Sequence, residues 1–246
     1  MHWCADWQME INWDKSVCSH ITNKKCVLRF DYNLQGNRLM EVKSFKYLGV
    51  VIRNYLKWND HIAMIYSKAM LRLRMLRRKL WQGATKEIKL TAYKSVIRPC
   101  LEYASAAWDP HTSILSEKLE SVQRSATRFI MSDYRRTSSV TNMLTELNLD
   151  TLSKRRKTTK LKIFYQLYNN ALNINSGKYV VKITPRSARI CHPRTVQQYR
   201  TRIDVFKYSF FPHTISLWNA LPAEIVLDNY SVFQDAVSQC IIMSVF

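Results

Sequence analysis

"SFKYLGVVI", residues 44–52, decides how the first part of the chain is read. The run is rich in apolar, aromatic and β-branched residues, which predicts one buried strand. Upstream, residues 16–22 ("SVCSHIT"), 26–32 ("CVLRFDY") and 38–43 ("RLMEVK") have strand character, and "NLQGN" at 33–37 signals a turn around Gly36. Together they predict a small antiparallel set of three or four short strands. Such a sheet wants a cover on each apolar face, yet β signals stop after residue 52. Residues 1–10 predict a helix whose Trp3 and Trp7 share a face and also need a partner.

Helical periodicity takes over downstream. In residues 57–81, Ile62, Ile65, Ala69, Leu73, Leu76 and Leu80 keep helical spacing, while Lys68, Arg72, Arg74, Arg77, Arg78 and Lys79 cover the remaining circumference. Gly83 ends that helix and Thr85 caps the next, which places Leu90, Tyr93, Ile97, Leu101 and Ala104 on one face and is kinked or split at Pro99. A helix over about 112–131 turns Leu115, Leu119, Val122, Ala126, Phe129 and Ile130 inward. Ser138 opens a short helix to Leu147, and Thr151 opens "TLSKRRKTTKLKIFYQLYNN". Residues 171–207 hold eight Lys/Arg against one acid, with Pro185 and Pro193, and predict a basic linker or loose β segment. Phe210, Phe211, Ile215, Trp218 and Leu221 then predict an aromatic knot or docked helix pair. The class is α+β and mostly α, with segments at 1–54, 55–170 and 171–246.

The formal charge is +20, from 38 Lys+Arg against 18 Asp+Glu, which disfavours a metabolic enzyme and favours a polyanionic partner, nucleic acid first. A basic membrane-surface protein is the weaker alternative, since the cations are spread over several segments. No run approaches the length of a membrane span. The six cysteines show no regular spacing and no secretory signal precedes them, which predicts reduced thiols in an intracellular compartment, nuclear or cytoplasmic.

Catalytic motifs are missing. Cys18, His20 and Cys26 fit no zinc spacing, and Cys191-His192 stands alone. Two-metal phosphoryl transfer needs converging carboxylates, but the chain has no Asp-Asp pair, and Asp31, Asp60, Asp109 and Asp133 predict caps or solvated salt bridges. What remains is a basic helical surface able to track phosphates without reading sequence. Tyr93, Tyr103, Trp81, Tyr134 and Trp108 are the aromatics available for base stacking, with core packing the commoner fate of each.

"WCADWQMEINWDKSVC", "FKYLGVVI", "KWNDHIAMIYSKAMLRLRMLRR", "LTAYKSVIRPCLEYASAAWDPHT", the long stretch from "KLESVQRSATRFI" to "KLKIFYQLYN", and "FFPHTISLWNALPAEIV" occur in this order. The series resembles the C-terminal part of jockey-like non-LTR retrotransposon reverse transcriptases and covers nearly the whole chain. The resemblance implies a late-palm remnant, a helical thumb and a C-terminal extension, with Asn12 and Lys15 in the palm's late motif; Trp13 departs from the Pro common there. It implies that the fingers, most of the palm and the Tyr-x-Asp-Asp loop lie upstream, so that the strand at 44–52 belongs to a sheet encoded elsewhere. No catalytic residue, metal site or cofactor is then expected in this chain, although a complete enzyme of the family would use magnesium, and no polymerisation by the chain alone. The expected partners are an RNA or RNA–DNA template–primer duplex and the upstream polymerase portion. The expected phosphate contacts are Lys68, Arg72, Arg77, Arg78 and Lys79, then Arg98, Arg124, Arg128, Arg135 and Arg136, then Arg155, Arg156 and Lys157. A free-standing basic nucleic-acid-binding or assembly protein and a non-functional relic are the alternatives.

Overall fold

The computed structural model describes residues 2–243 apart from 23, 25–27, 29, 35, 81–82, 184–191 and 228. Cys26, Trp81, Pro185, Cys191 and part of the predicted strand at 26–32 lie outside the described residues. The chain divides into two compact units, Met1–His61 and Ile62–Phe246.

The first unit starts with a short helix α1 (His2–Asp6). Asn12 then caps a single 3₁₀ turn, Trp13–Lys15, by accepting the Lys15 backbone N–H at 3.1 Å. Three two-stranded sheets follow: β1 (Val17–Cys18), β2 (Asn33–Leu34), β3 (Asn37–Arg38), β4 (Met40–Glu41), β5 (Ser44–Tyr47) and β6 (Val50–Arg53). β1 pairs with β4 in parallel, not antiparallel as expected, while β2 and β3 form a hairpin around Gly36 (φ +80).

Residues 44–52 are not one buried strand. They fold into the hairpin β5–β6, with Phe45 opposite Ile52 and Tyr47 opposite Val50. Leu48 (φ +43) and Gly49 (φ +84) form its two-residue turn. Two successive positive φ values match the twist of the flanking strands, the geometry usually supplied by Asn-Gly. Val50 is buried, whereas Tyr47 and Leu48 are 61% and 72% exposed.

The second unit is helical. α2 (Asn59–Lys79) buries Ile62, Ile65, Ala69, Leu73 and Leu76, with Asp60 in its first turn and Arg77, Arg78 and Lys79 in its last, charges that suit the helix dipole at each end. Thr85 caps α3 (Lys86–Ala92). Pro99 has no N–H to donate, and the helix ahead of it widens into one π turn, Tyr93–Ile97, before resuming as α4 (Arg98–Glu102). Tyr93, Ile97 and Leu101 are buried as expected; Ala104 (φ +53) is exposed, because the chain breaks there before α5 (Ser105–Trp108). α6 (Ser113–Met131) buries Leu119, Val122, Ala126, Phe129 and Ile130, and Ser139 caps α7 (Val140–Glu146).

α8 (Leu152–Tyr168) begins at Thr151, whose hydroxyl accepts the Lys154 N–H at 3.2 Å. Glu120 of α6 adds its carboxylate to the same end, accepting from the N–H groups of Leu152 and Ser153 at 3.2 and 2.7 Å. Of the C-terminal helices α9 (Asp204–Lys207), α10 (Phe210–Asn219), α11 (Ala223–Leu227) and α12 (Tyr230–Met243), α10 and α12 pack on α8, while α9 packs on α10 and α11 on α12. The docked helices expected around Phe210–Leu221 thus belong to a largely helical run from residue 204 on. Its centre is Trp218, buried among Phe164, Tyr165, Tyr168 and Phe233, with its indole N–H donated to the Arg194 carbonyl at 2.9 Å. The Asn219 amide pairs with both backbone groups of Val196 and holds that segment on α10.

Candidate nucleic-acid interface

At 3.6 residues per turn, Lys68, Leu71, Arg74, Met75, Arg78 and Lys79 fall on the side of α2 opposite its apolar stripe, and all six are exposed. Arg74 is one of the cations the sequence places around this helix but is not among the expected phosphate contacts, although its spacing of four from Arg78 puts the two together. Leu71 and Met75 add apolar surface to the same face, 63% and 42% exposed.

Arg72 and Arg77 belong elsewhere. Arg72 donates to the Val96 carbonyl at 2.8 Å and to Cys100 Sγ at 2.6 Å. Arg77 donates to the Ser125 carbonyl of α6 at 2.8 Å, and its guanidinium lies over the Tyr134 ring, 6.0 Å from the centroid. Both are half-buried fasteners between helices, so their assignment as leading phosphate contacts is corrected: a guanidinium spent on a carbonyl must give up that bond to reach a phosphate.

Tyr134 sits in the loop after α6, next to Arg135 and Arg136, which are exposed. Asp133 orders this loop by accepting from the Arg135 backbone N–H (3.0 Å) and guanidinium (3.1 Å) and from the Ser138 hydroxyl (2.6 Å). The Arg135 side chain, then Ser138, hold its carboxyl far below the usual carboxylate range. Arg128 donates to the Arg135 carbonyl at 2.9 Å. Through Arg77 and Tyr134, the end of α2 and this loop meet, giving a surface on which Arg78, Lys79 and Arg136 stand exposed and Tyr134 presents a ring that is 48% exposed.

The remaining predicted contacts are half-buried or buried. Arg98 and Arg155 both face Glu102, at 4.0 and 2.9 Å; Arg124 pairs with Glu117, and Lys157 is half-buried. Arg156 is 1% exposed and cannot meet a phosphate. Its guanidinium donates to Asp109 (2.7 Å) and to the Ser116 hydroxyl (3.0 Å), while Lys160, equally buried, reaches the other Asp109 oxygen at 2.8 Å. Lys160 also lies 3.0 Å from His213 Nδ1 of α10. Asp109 is thus a buried hub, not the solvated acid expected. Burial pushes its carboxyl up, but Lys160 and Arg156 outweigh that and hold it low. Burial, seconded by Lys160, pushes His213 down to about 4, so at neutral pH its Nδ1 is a neutral acceptor for the Lys160 ammonium.

Asp31 pairs with Arg38, and Asp60 with Arg53. Tyr93 and Trp108 are core residues, 1% and 0% exposed, so neither stacks on a base, whereas Tyr103 is open at 59%. Lys15 is exposed beside its Asn12 cap. Among the described residues no three His, Cys, Asp or Glu side chains converge as metal ligands. No described helix is long and apolar enough to cross a membrane. No family model, curated protein or solved structure matches the chain.

Proposed function

We propose that this chain is the late-palm, thumb and C-terminal part of a non-LTR retrotransposon reverse transcriptase, and that its helical unit grips a template–primer duplex by the phosphate backbone inside the cell. The reading is supported by the ordered series of resembling segments together with the +20 charge. The observation that carries the binding role is the outer face of α2, where Lys68, Arg74, Arg78 and Lys79 are exposed on one side of a helix whose other side is core. A cation fixed in that way meets phosphates without losing an internal bond, and each phosphate neutralised releases condensed counterions.

The test is salt-dependent binding to an RNA–DNA hybrid. Changing Arg78→Ala and Lys79→Ala together should lower the magnitude of the log K versus log salt slope by about 2, with similar losses on any sequence. Arg155→Ala, which breaks an ion pair with Glu102, should change the slope less. An unchanged slope in the α2 variant sinks the assignment. Preference for a primer–template hybrid over plain duplex separates a polymerase thumb from a general basic binder.

A further inference from the structure

The C-terminal part of the second unit carries a different kind of surface. An antiparallel bridge between Lys182 and Val196, flanked by the bonds Ile183 N–H to Thr195 O (3.2 Å) and Gln197 N–H to Val181 O (2.9 Å), lays residues 178–183 beside 195–199. This brings together rings from distant points in the chain. Tyr179 stacks on Phe211 at 4.7 Å with planes 9° apart. Tyr199 donates its hydroxyl to the Tyr179 carbonyl at 2.7 Å and meets Phe206 edge-on at 5.7 Å. The Trp218 core buries Phe164, Tyr165, Tyr168 and Phe233 to 9% exposure or less, but Tyr179 and Phe206 stay 39% and 41% exposed.

Cations flank these rings along the chain. Lys178 reaches over Tyr179, and Arg200, Arg202 and Lys207 are exposed next to Tyr199 and Phe206 in the chain. Across residues 171–223 the sequence has eight Lys/Arg and a single acid, Asp204. Packing alone explains rings that hold a hairpin onto a helix. It does not explain why Tyr179 and Phe206 stay this exposed in a stretch so rich in cations.

We infer that the surface formed by Tyr179, Tyr199, Phe206 and their flanking cations binds single-stranded nucleic acid, the rings taking unpaired bases and Lys178, Arg200, Arg202 and Lys207 the backbone. A duplex keeps its bases stacked on each other and offers such rings nothing, whereas an unpaired strand has free π faces. An acidic peptide would use the cations and leave the rings idle. The inference rests on the reading of the chain as a nucleic-acid binder but assigns a separate surface from the outer face of α2.

Fluorescence anisotropy of the full chain with an oligothymidylate of about 12 nucleotides and with a duplex of that length decides it. Tyr179→Leu with Phe206→Leu keeps apolar bulk and removes the π faces. It should weaken the single strand about tenfold and leave the duplex unchanged. Arg200→Ala with Arg202→Ala should lower the single-strand salt slope by about 1.4. Equal losses on both substrates, no loss on either, or displacement of the oligothymidylate by polyglutamate that the leucine variant does not alter, overturns the inference. Should the double leucine variant lose its helical circular dichroism, Phe206→Leu alone and photo-crosslinking of bromouridine RNA to the unaltered chain replace it. Crosslinks on Tyr179, Tyr199 or Phe206 support the surface, and crosslinks confined to other residues overturn it. Loss of duplex binding on changing Arg78 and Lys79 bears only on the α2 assignment, so the two readings fail separately.

Discussion

The two units hold large apolar residues in opposite ways. Among the described residues of Met1–His61, Val50 is the one buried apolar side chain, while Trp3, Trp7, Phe30, Met40 and Leu48 are each more than half exposed. Ile62–Phe246 buries Trp108, Trp218, Phe129 and Phe164 to 2% exposure or less. The two are not separated by hydrophobic content. They differ in element length. Strands of two to four residues present one or two side chains to each face, whereas α2 and α8, 21 and 17 residues long, each present an apolar row of several turns. A side chain contributes its ~1.5–3 kcal/mol only if another layer removes it from water.

The most direct way to break this contrast is to disrupt the charged knot inside the helical unit. Asp109→Ala leaves Arg156 and Lys160 adjacent and buried without their counter-charge, and should cost about 3–5 kcal/mol in urea denaturation. A loss under about 1 kcal/mol would mean that the two cations escape to water, contrary to their burial.

Acid should weaken the same knot more gently. His213 faces Lys160, Asp109, Lys157 and His111, and its folded value near 4 lies below the ordinary 6.5. Between those two values the unfolded chain binds more protons than the folded one, so stability must fall as pH falls from about 6.5 to 4. His61 of the first unit, pushed by burial to about 4, acts in the same direction. His213→Gln should flatten the part of the profile that belongs to the helical unit; a denaturation midpoint with the same pH slope in the variant counts against it.

The smallest expected effect lies in the first unit and would narrow the contrast. Leu48→Asn removes an exposed leucine from a left-handed position and creates the Asn-Gly pair that such turns favour. It should stabilise the β5–β6 hairpin by roughly 0.5–1 kcal/mol, read as slower amide exchange over residues 45–52. Faster exchange there would contradict the turn geometry.

Much of the helical unit was legible in the sequence, because a stripe such as Ile62, Ile65, Ala69, Leu73, Leu76 admits one orientation. The hairpin was not: Leu48 carries no turn signal, so the apolar run read straight through Gly49. Among the candidate contacts, Lys68, Arg78, Lys79, Arg135 and Arg136 are exposed. Arg72 and Arg77 were misjudged because long side chains at the flank of a helix can bend back toward the core and find a carbonyl there. Arg156 and Lys160 did leave a trace. Leu152, Arg156, Lys160, Phe164 and Tyr168 run at a spacing of four, and the outer members of that row are apolar. Their partner Asp109 lies more than forty residues away, and no local pattern connects it to them.

The π turn before Pro99 also fixes a reading frame in three dimensions. There the Arg98 N–H reaches back five residues to the Tyr93 carbonyl, so the turn stores one residue more than an α-helix would. Deleting Ser95 would let the segment close into regular helix with the turns on either side still in phase, whereas one residue more, with no further widening to absorb it, would turn everything after it by about 100°. Tyr93 and Leu101 could then no longer face the same core. A one-codon insertion here, almost silent in composition and charge, would displace that core face, while an insertion in the exposed loop at 170–175 would pass almost unnoticed.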